Sequence, residues 1–174
     1  MRAVNADLLV DDCTRCAALC CMAFAFDNGG GFGVDKQAGQ ACPHLAANGG
    51  CAIYDQRDAR GFSGCAKFTC NGSGQRVTQE VFAGQNWRDD PALTIPMMQA
   101  FAMARAVHAL LLLLQTAQKL PLNGDQSREI VGFIAALTPA GQMSQGWLRD
   151  VTNSDIESRV HRFLRSLAPL VGNR

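Results

Sequence analysis

The sequence predicts a mainly α-helical protein, with a small cysteine-rich N-terminal module packed on a C-terminal bundle of three to four helices. Three observations carry this. All eight cysteines fall between Cys13 and Cys70. From Pro91 onward the composition turns from Gly and Cys to Ala, Leu and Met. The later segments also carry apolar residues at helical spacing between recognisable caps. The expected division is a cysteine-rich module over residues 1–75, a connecting segment over 76–95 and a helical domain over 96–174.

The chain has 174 residues, 48% of them hydrophobic and 18% charged, which suits a globular protein with a sizeable core. Its net charge of +1 provides no general attraction for nucleic acid or an anionic membrane. The first residues contain no apolar run long enough for a signal-peptide core, and Asp7, Asp11 and Asp12 interrupt them. A cytoplasmic location is therefore expected, where thiols stay reduced and clustered cysteines point to metal before disulfides.

Val10–Phe26 has the spacing of one helix, with Asp11 or Asp12 as N-cap. It contains Cys13-Thr-Arg-Cys16-Ala-Ala-Leu-Cys20-Cys21. On a continuous helix Cys13, Cys16 and Cys20 fall within about 60° of one another, with Cys21 about 100° further round. A tight knuckle at residues 13–16 also brings Cys13 and Cys16 together. Asp27-Asn-Gly-Gly-Gly-Phe-Gly reads as a loop, since no phosphate-binding lysine motif follows its glycines. Cys42 and Cys51 flank a turn at Gly49-Gly50 that leads toward Ile53-Tyr54 as a short strand, giving the module a short helix, loops and a short β-hairpin. Cys65 and Cys70 close the module.

In the second half the first helix is expected from about Pro96 to Lys119, stopped by Pro121. Its apolar run is broken by Gln99, Arg105 and His108. A bilayer span needs about 20 predominantly apolar residues, so a buried core helix is expected instead. A second helix follows Asp125 as N-cap, and a third lies around Met143 to Val151 after Thr138-Pro139. The last begins at the capping box Ser154-Asp-Ile-Glu157 and carries the stripe Ile156, Val160, Phe163, Leu164 and Leu167.

Four thiolates complete a tetrahedral zinc site or hold an iron–sulfur cluster. Single cysteines are ordinarily small buried hydrophobes, an account that suits one or two cysteines and not four within nine residues. Cys13, Cys16, Cys20 and Cys21 are the first candidate ligands. Cys42, Cys51, Cys65 and Cys70 complete the same centre or a second one. Neither the paired C-x-x-C pattern of zinc sites nor the ferredoxin run occurs, so zinc and iron both stay open. His44 is either a ligand or an ordinary loop histidine, and His108 and His161 read as core or boundary residues. Trp87-Arg88-Asp89-Asp90 reads as a recognition loop or, more simply, as an aromatic packed on the helices. Arg149, Arg159, Arg162 and Arg165 are offset by Asp150, Asp155 and Glu157, which describes a solvated helix face. No Ser-His-Asp order or paired-acid pattern marks a catalytic site.

The run Cys13-x₂-Cys16-x₃-Cys20-Cys21, followed by Cys42-Pro-His-Leu45, Gly50-Cys51-Ala-Ile53-Tyr54-Asp-Gln-Arg57 and Cys65, resembles the CxxCxxxCC family, named for zinc or iron chelation. Ala41–Leu45, Gly61–Cys65, Gly72–Gln75, Asn86-Trp87-Arg88 and the segment Arg105–Leu111 are similar to the cysteine-rich region that precedes pentapeptide repeats in some actinobacterial proteins. No tandem repeat units occur here, and Arg57 is followed by Asp58 where the broader family has proline. A flagellin lysine methylase branch of the family uses an iron–sulfur cluster, but no methyl-donor site matches in this chain. The resemblance implies a chelating centre and no particular reaction. The expectation is a cysteine cluster holding zinc or iron and organising a fold that binds a protein partner. The alternatives are an iron–sulfur redox protein or enzyme, and a thiol sensor or soft-metal sponge.

Overall fold

The computed structural model describes residues 6–171. The outermost ends of the expected module and helical domain, residues 1–5 and 172–174, lie outside the described residues. Mainly helical architecture is what the chain adopts. Short 3₁₀ turns at Ala6–Leu9 and Cys13–Arg15 lead to a single-turn helix α1 (Leu19–Ala23). A long stretch of turns contains the 3₁₀ turn Tyr54–Gln56 and ends in α2 (Ser63–Lys67). α3 (Ser73–Arg76) continues directly into a π-helical turn at Val77–Val81. Then come α4 (Thr94–Ala117), α5 (Gly124–Ala136), α6 (Gln145–Asn153) and α7 (Ile156–Ser166).

The C-terminal bundle follows the sequence pattern closely, with shifts at the caps. Asp90 accepts from Ala92 N at 3.0 Å and starts a 3₁₀ turn that runs into α4. The second helix is capped by Asn123, not Asp125. Asn123 and Gln126 exchange side-chain and backbone bonds in a capping box, so the cap sits two residues earlier than expected. α6 is capped by Ser144, whose Oγ accepts from Trp147 N, so the Thr138-Pro139 pair lies in the connection before it. α7 begins as expected, but the reciprocal box does not form. Ser154 Oγ accepts from Ile156 N at 3.3 Å. The stripe of α7 buries Ile156, Val160, Phe163 and Leu167.

α4 is long and apolar enough to cross a bilayer by composition, and half of that apolar window is buried within the protein. It is the shared wall of one core. On one side Ile130, Phe133, Ile134, Leu148, Val160 and Phe163 from α5, α6 and α7 close over it. On the other lie Leu19 and Met22 of α1 with Val77, Phe82 and Trp87 from the segment expected to be a connection. Each fully buried Leu, Met or Phe side chain here contributes about 1.5–3 kcal/mol. Leu19 and Met22 thereby anchor α1 on α4.

That half has little regular structure. Isolated bridges join Phe26 to Lys36, Asn28 to Phe32 and Leu45 to Cys51, and no strand ladder forms among the described residues. The expected hairpin thus reduces to one bridge closed by Ala46 N→Gly50 O and Ala52 N→His44 O. The turn at Gly49 is real, with φ +87°, a conformation that glycine adopts without strain. Beyond it the chain turns into Tyr54–Gln56, because Ile53 must bury with Phe26, Cys42 and Phe62 in a small second cluster.

Candidate metal centre

The Cys13–Cys21 segment is not one helix. Asp12 accepts from Thr14 N at 3.0 Å and caps a 3₁₀ turn that Cys16 N closes onto Cys13 O. The backbone of Ala17 is then drawn into the core. Its N–H donates to Thr78 Oγ1 (3.0 Å) and its carbonyl accepts from Trp87 Nε1 (2.6 Å). Ala18 follows at φ +54°, a left-handed conformation that interrupts any α-helix. Only then does α1 begin, carrying Cys20 and Cys21. The expectation that Cys13, Cys16 and Cys20 line one helix face is therefore corrected: a knuckle and a separate helical turn deliver them. Most of the clamps on the first part of this segment come from beyond the last cysteine in sequence. Gln75 bonds both Asp12 N and Val10 O, and Gln79 Nε2 donates to Arg15 O at 2.8 Å.

The other cysteines are placed by similar backbone links. Cys42 N donates to Cys21 O at 3.0 Å, and Cys51 pairs with Leu45. Cys65 lies in α2, which is docked by Gly64 N→Gly31 O at 2.9 Å. Asp11 holds Cys70, accepting from its N–H (3.3 Å), from its Sγ (3.2 Å) and from Gly72 N (2.8 Å). Gly72 has φ +75°, and any Cβ there would stand 2.3 Å from Leu8 O.

All eight sequence-predicted ligands converge. They line one cavity of about 1130 Å³, open to solvent, and all eight are free thiols. The Cβ that Gly74 lacks would stand 2.8 Å from Cys16 Sγ and 3.5 Å from Cys70 Sγ, so both sulfurs use the room this glycine leaves. Among the described residues, no three His, Cys, Asp or Glu side chains stand close enough together to hold a single metal ion. The eight donors are thus gathered around a shared space and are not drawn onto one point.

Burial pushes the Cys16 thiol up to about 12, and the Cys65 and Cys70 thiols up to about 11. Cys20 is pushed up as well, first by its bond with Cys21 and then by burial, and burial raises Cys13 and Cys42. Free thiols in this condition are protonated at neutral pH, whereas reactive or sensor cysteines need the opposite shift.

Sequence reading missed the cations here. Lys36 is buried, and its ammonium donates to the carbonyls of Met22, Phe24, Gln37 and Gln40 while lying 4.7 Å above the Phe26 ring. Burial lowers its pKa, and the thiols of Cys42, Cys21, Cys20 and Cys65 act against that. Arg105 of α4 reaches the cavity through a cage of Phe24, Phe68 and Phe101, at 4.7, 5.1 and 5.8 Å from the three ring centres. No local signal in the sequence marks either residue, because both roles depend on loops folding over α1 and α4.

The three histidines separate by burial. His44 stands at the cavity wall, edge-on to the Phe62 ring. His161 is on the surface of α7, 3.8 Å from Glu157. His108 is fully buried, and burial pushes it down to about 4, so it is neutral. Its Nδ1 faces Asn71 O, and Nε2 is 3.4 Å from Arg76 Nη1. A carbonyl cannot donate and a guanidinium cannot accept, so the proton is on Nδ1. Arg76 in turn pairs with Glu80 (2.7 Å), and Glu80 accepts from Met143 N (2.7 Å). This chain of bonds ties the Cys70–Gly72 turn to α4 and to the approach of α6.

The chain is 32% identical over 160 residues to the uncharacterized protein YybG of Bacillus subtilis strain 168. The match takes in 92% of this chain and 57% of YybG, so the chain spans a little over half the length of that relative. No family model matches the chain, and no solved structure matches it.

Proposed function

We propose that this protein carries a thiolate-bound metal centre of the iron–sulfur type in its cysteine cavity, and that the centre organises the N-terminal half on α4. The observation that carries this is the convergence of all eight cysteines, from five separate places in the chain, on one cavity of about 1130 Å³. Thiolates are the natural ligands of iron–sulfur clusters, zinc and copper(I). The donors surround a space and are too spread out for three of them to share one ion where they stand. A cluster several ångströms across meets them with less movement than a bare ion. The buried Lys36 ammonium also suits a centre whose ligands are anionic. The resemblance to the CxxCxxxCC family supports chelation. With an iron–sulfur centre, electron exchange with a protein partner follows as the proposed role.

Structural zinc is the second reading. The second cluster has only Phe26, Cys42, Ile53 and Phe62 in its buried interior, too few to hold residues 26–65 without a staple. Structural zinc contributes about 10–16 kcal/mol of apparent binding free energy in small modules.

Purification under anaerobic conditions without a metal-affinity tag, followed by metal analysis, acid-labile sulfide and visible absorption, separates the readings. Iron with matching sulfide and broad visible absorption is the expected result. Zinc without sulfide or colour transfers the proposal to the structural reading. Protein without metal, and with no uptake of iron and sulfide or zinc on reconstitution, overturns both.

A further inference from the structure

Two features of the cavity, one of packing and one of backbone linkage, divide its cysteines in the same way. Cys16, Cys20 and Cys70 pack against the large core around α4. Cys42 belongs to the second cluster, and Cys21, Cys51 and Cys65 pack against it. The linkages follow the same line. The Cys13–Cys16 turn is closed by its own backbone bond, and Cys16 and Cys70 share the space at Gly74. On the other side Cys42 N is bonded to Cys21 O, Leu45 N to Cys42 O, and Leu45 is bridged to Cys51. The division passes between Cys20 and Cys21. Neighbours on a helix point about 100° apart, so α1 can serve one set with each.

We propose that the cavity holds two adjacent centres, one on Cys13, Cys16, Cys20 and Cys70 and the other on Cys21, Cys42, Cys51 and Cys65. This rests on the metal-binding reading above and states which thiolates share a centre. Each set supplies four sulfur ligands, the complement for a tetrahedral soft cation or an iron–sulfur cluster. The two sets differ electrostatically. The Asp11 carboxylate is bonded to Cys70 in the first, while the buried Lys36 ammonium is held on the carbonyls of Met22, next to Cys21, and Gln40, just before Cys42, beside the second. The first set also includes the exposed Cys13. A carboxylate beside anionic ligands weakens the hold on a centre and an ammonium strengthens it, so the first centre is released first.

The test uses the anaerobically purified protein with the metal it carries. EDTA is added stepwise, each sample is pulsed with iodoacetamide, and labels are counted by intact mass and located by peptide mapping. The expected species carry no labels, four labels or eight, and the four-label species is modified at Cys13, Cys16, Cys20 and Cys70. Labels that accumulate one at a time overturn the proposal, as does a single step from none to eight or a four-label species that mixes the sets. In a second measurement, Cys16→Ser/Cys70→Ser keeps about half of the wild-type metal and Cys16→Ser/Cys51→Ser keeps none. Equal retention by the two pairs overturns the assignment. Wild-type protein that contains no metal and takes up none overturns the underlying reading instead. If the variants fail to fold, the wild-type labelling pattern decides the matter alone.

Discussion

Replacing Gly74 by alanine separates the stability of this protein from its capacity to hold metal. The added methyl group stands 2.8 Å from Cys16 Sγ. Ordinary contacts of this kind lie at about 3.5–4.0 Å, so the sulfur must retreat by about 1 Å. The backbone at Cys16 cannot supply that movement, because Cys16 N is closed onto Cys13 O and Ala17 is clamped by Thr78 and Trp87. Relief therefore comes from turning the Cys16 side chain into another rotamer, which carries its sulfur away from Cys70. Rotation of this kind costs about 1 kcal/mol, and alanine in place of glycine within α3 returns a similar amount. The metal-free variant should melt within about 1 kcal/mol of wild type, while metal content falls by half or more. Parallel thermal melts of chelated protein and metal analysis of purified protein measure the two effects. Wild-type metal content in Gly74→Ala refutes the reasoning about the sulfur. A loss above about 3 kcal/mol in the metal-free protein refutes the claim that rotation relieves the contact.

Three further perturbations probe the supports of the site. His108 has a folded pKa pushed down from 6.5 to about 4, so its stabilising effect is fully present above about pH 6.5 and is lost as the pH falls toward 4. A difference of this size amounts to about 3 kcal/mol, and urea titrations of metal-free protein between pH 7 and 4 should show that much less acid sensitivity in His108→Leu. Lys36→Met leaves the Phe24 and Gln40 carbonyls without a donor, while Met22 O keeps Gly39 N and Gln37 O keeps Gln40 N. With about 1–3 kcal/mol for each buried group left unpaired, a loss of about 3 kcal/mol or more is expected in the denaturation midpoint. Trp87→Phe keeps the buried ring but removes the donor to Ala17 O, for a cost of about 1–3 kcal/mol. Hydrogen exchange should show faster opening around residues 13–18, with α5–α7 unchanged.

The helical bundle was legible because its signals are local. The apolar spacing of Ile156, Val160, Phe163 and Leu167 and the helix start near residue 154 act within a turn or two of chain. What slipped was the choice among neighbouring caps. Asn123 outcompeted Asp125 because Gln126 was positioned to complete the reciprocal bond. The candidate ligands were legible too, as eight cysteines between 13 and 70, and all eight line one cavity.

The path of the chain through those ligands was not legible. Helical spacing over Val10–Phe26 is a local preference, and Thr78 and Trp87, about 60 and 70 residues further on, override it by taking the backbone groups of Ala17. The same holds for Gly74, Lys36 and Arg105, whose roles arise only once α3, the loops and α4 surround one cavity. The sequence by itself determined the helical class, the core helix and the clustering of the cysteines in the N-terminal half, through periodicity and composition. Only the tertiary structure decided that the cysteines meet in one space and which charges lie near them. Those depend on contacts between residues far apart in the chain, and no local pattern encodes such distances.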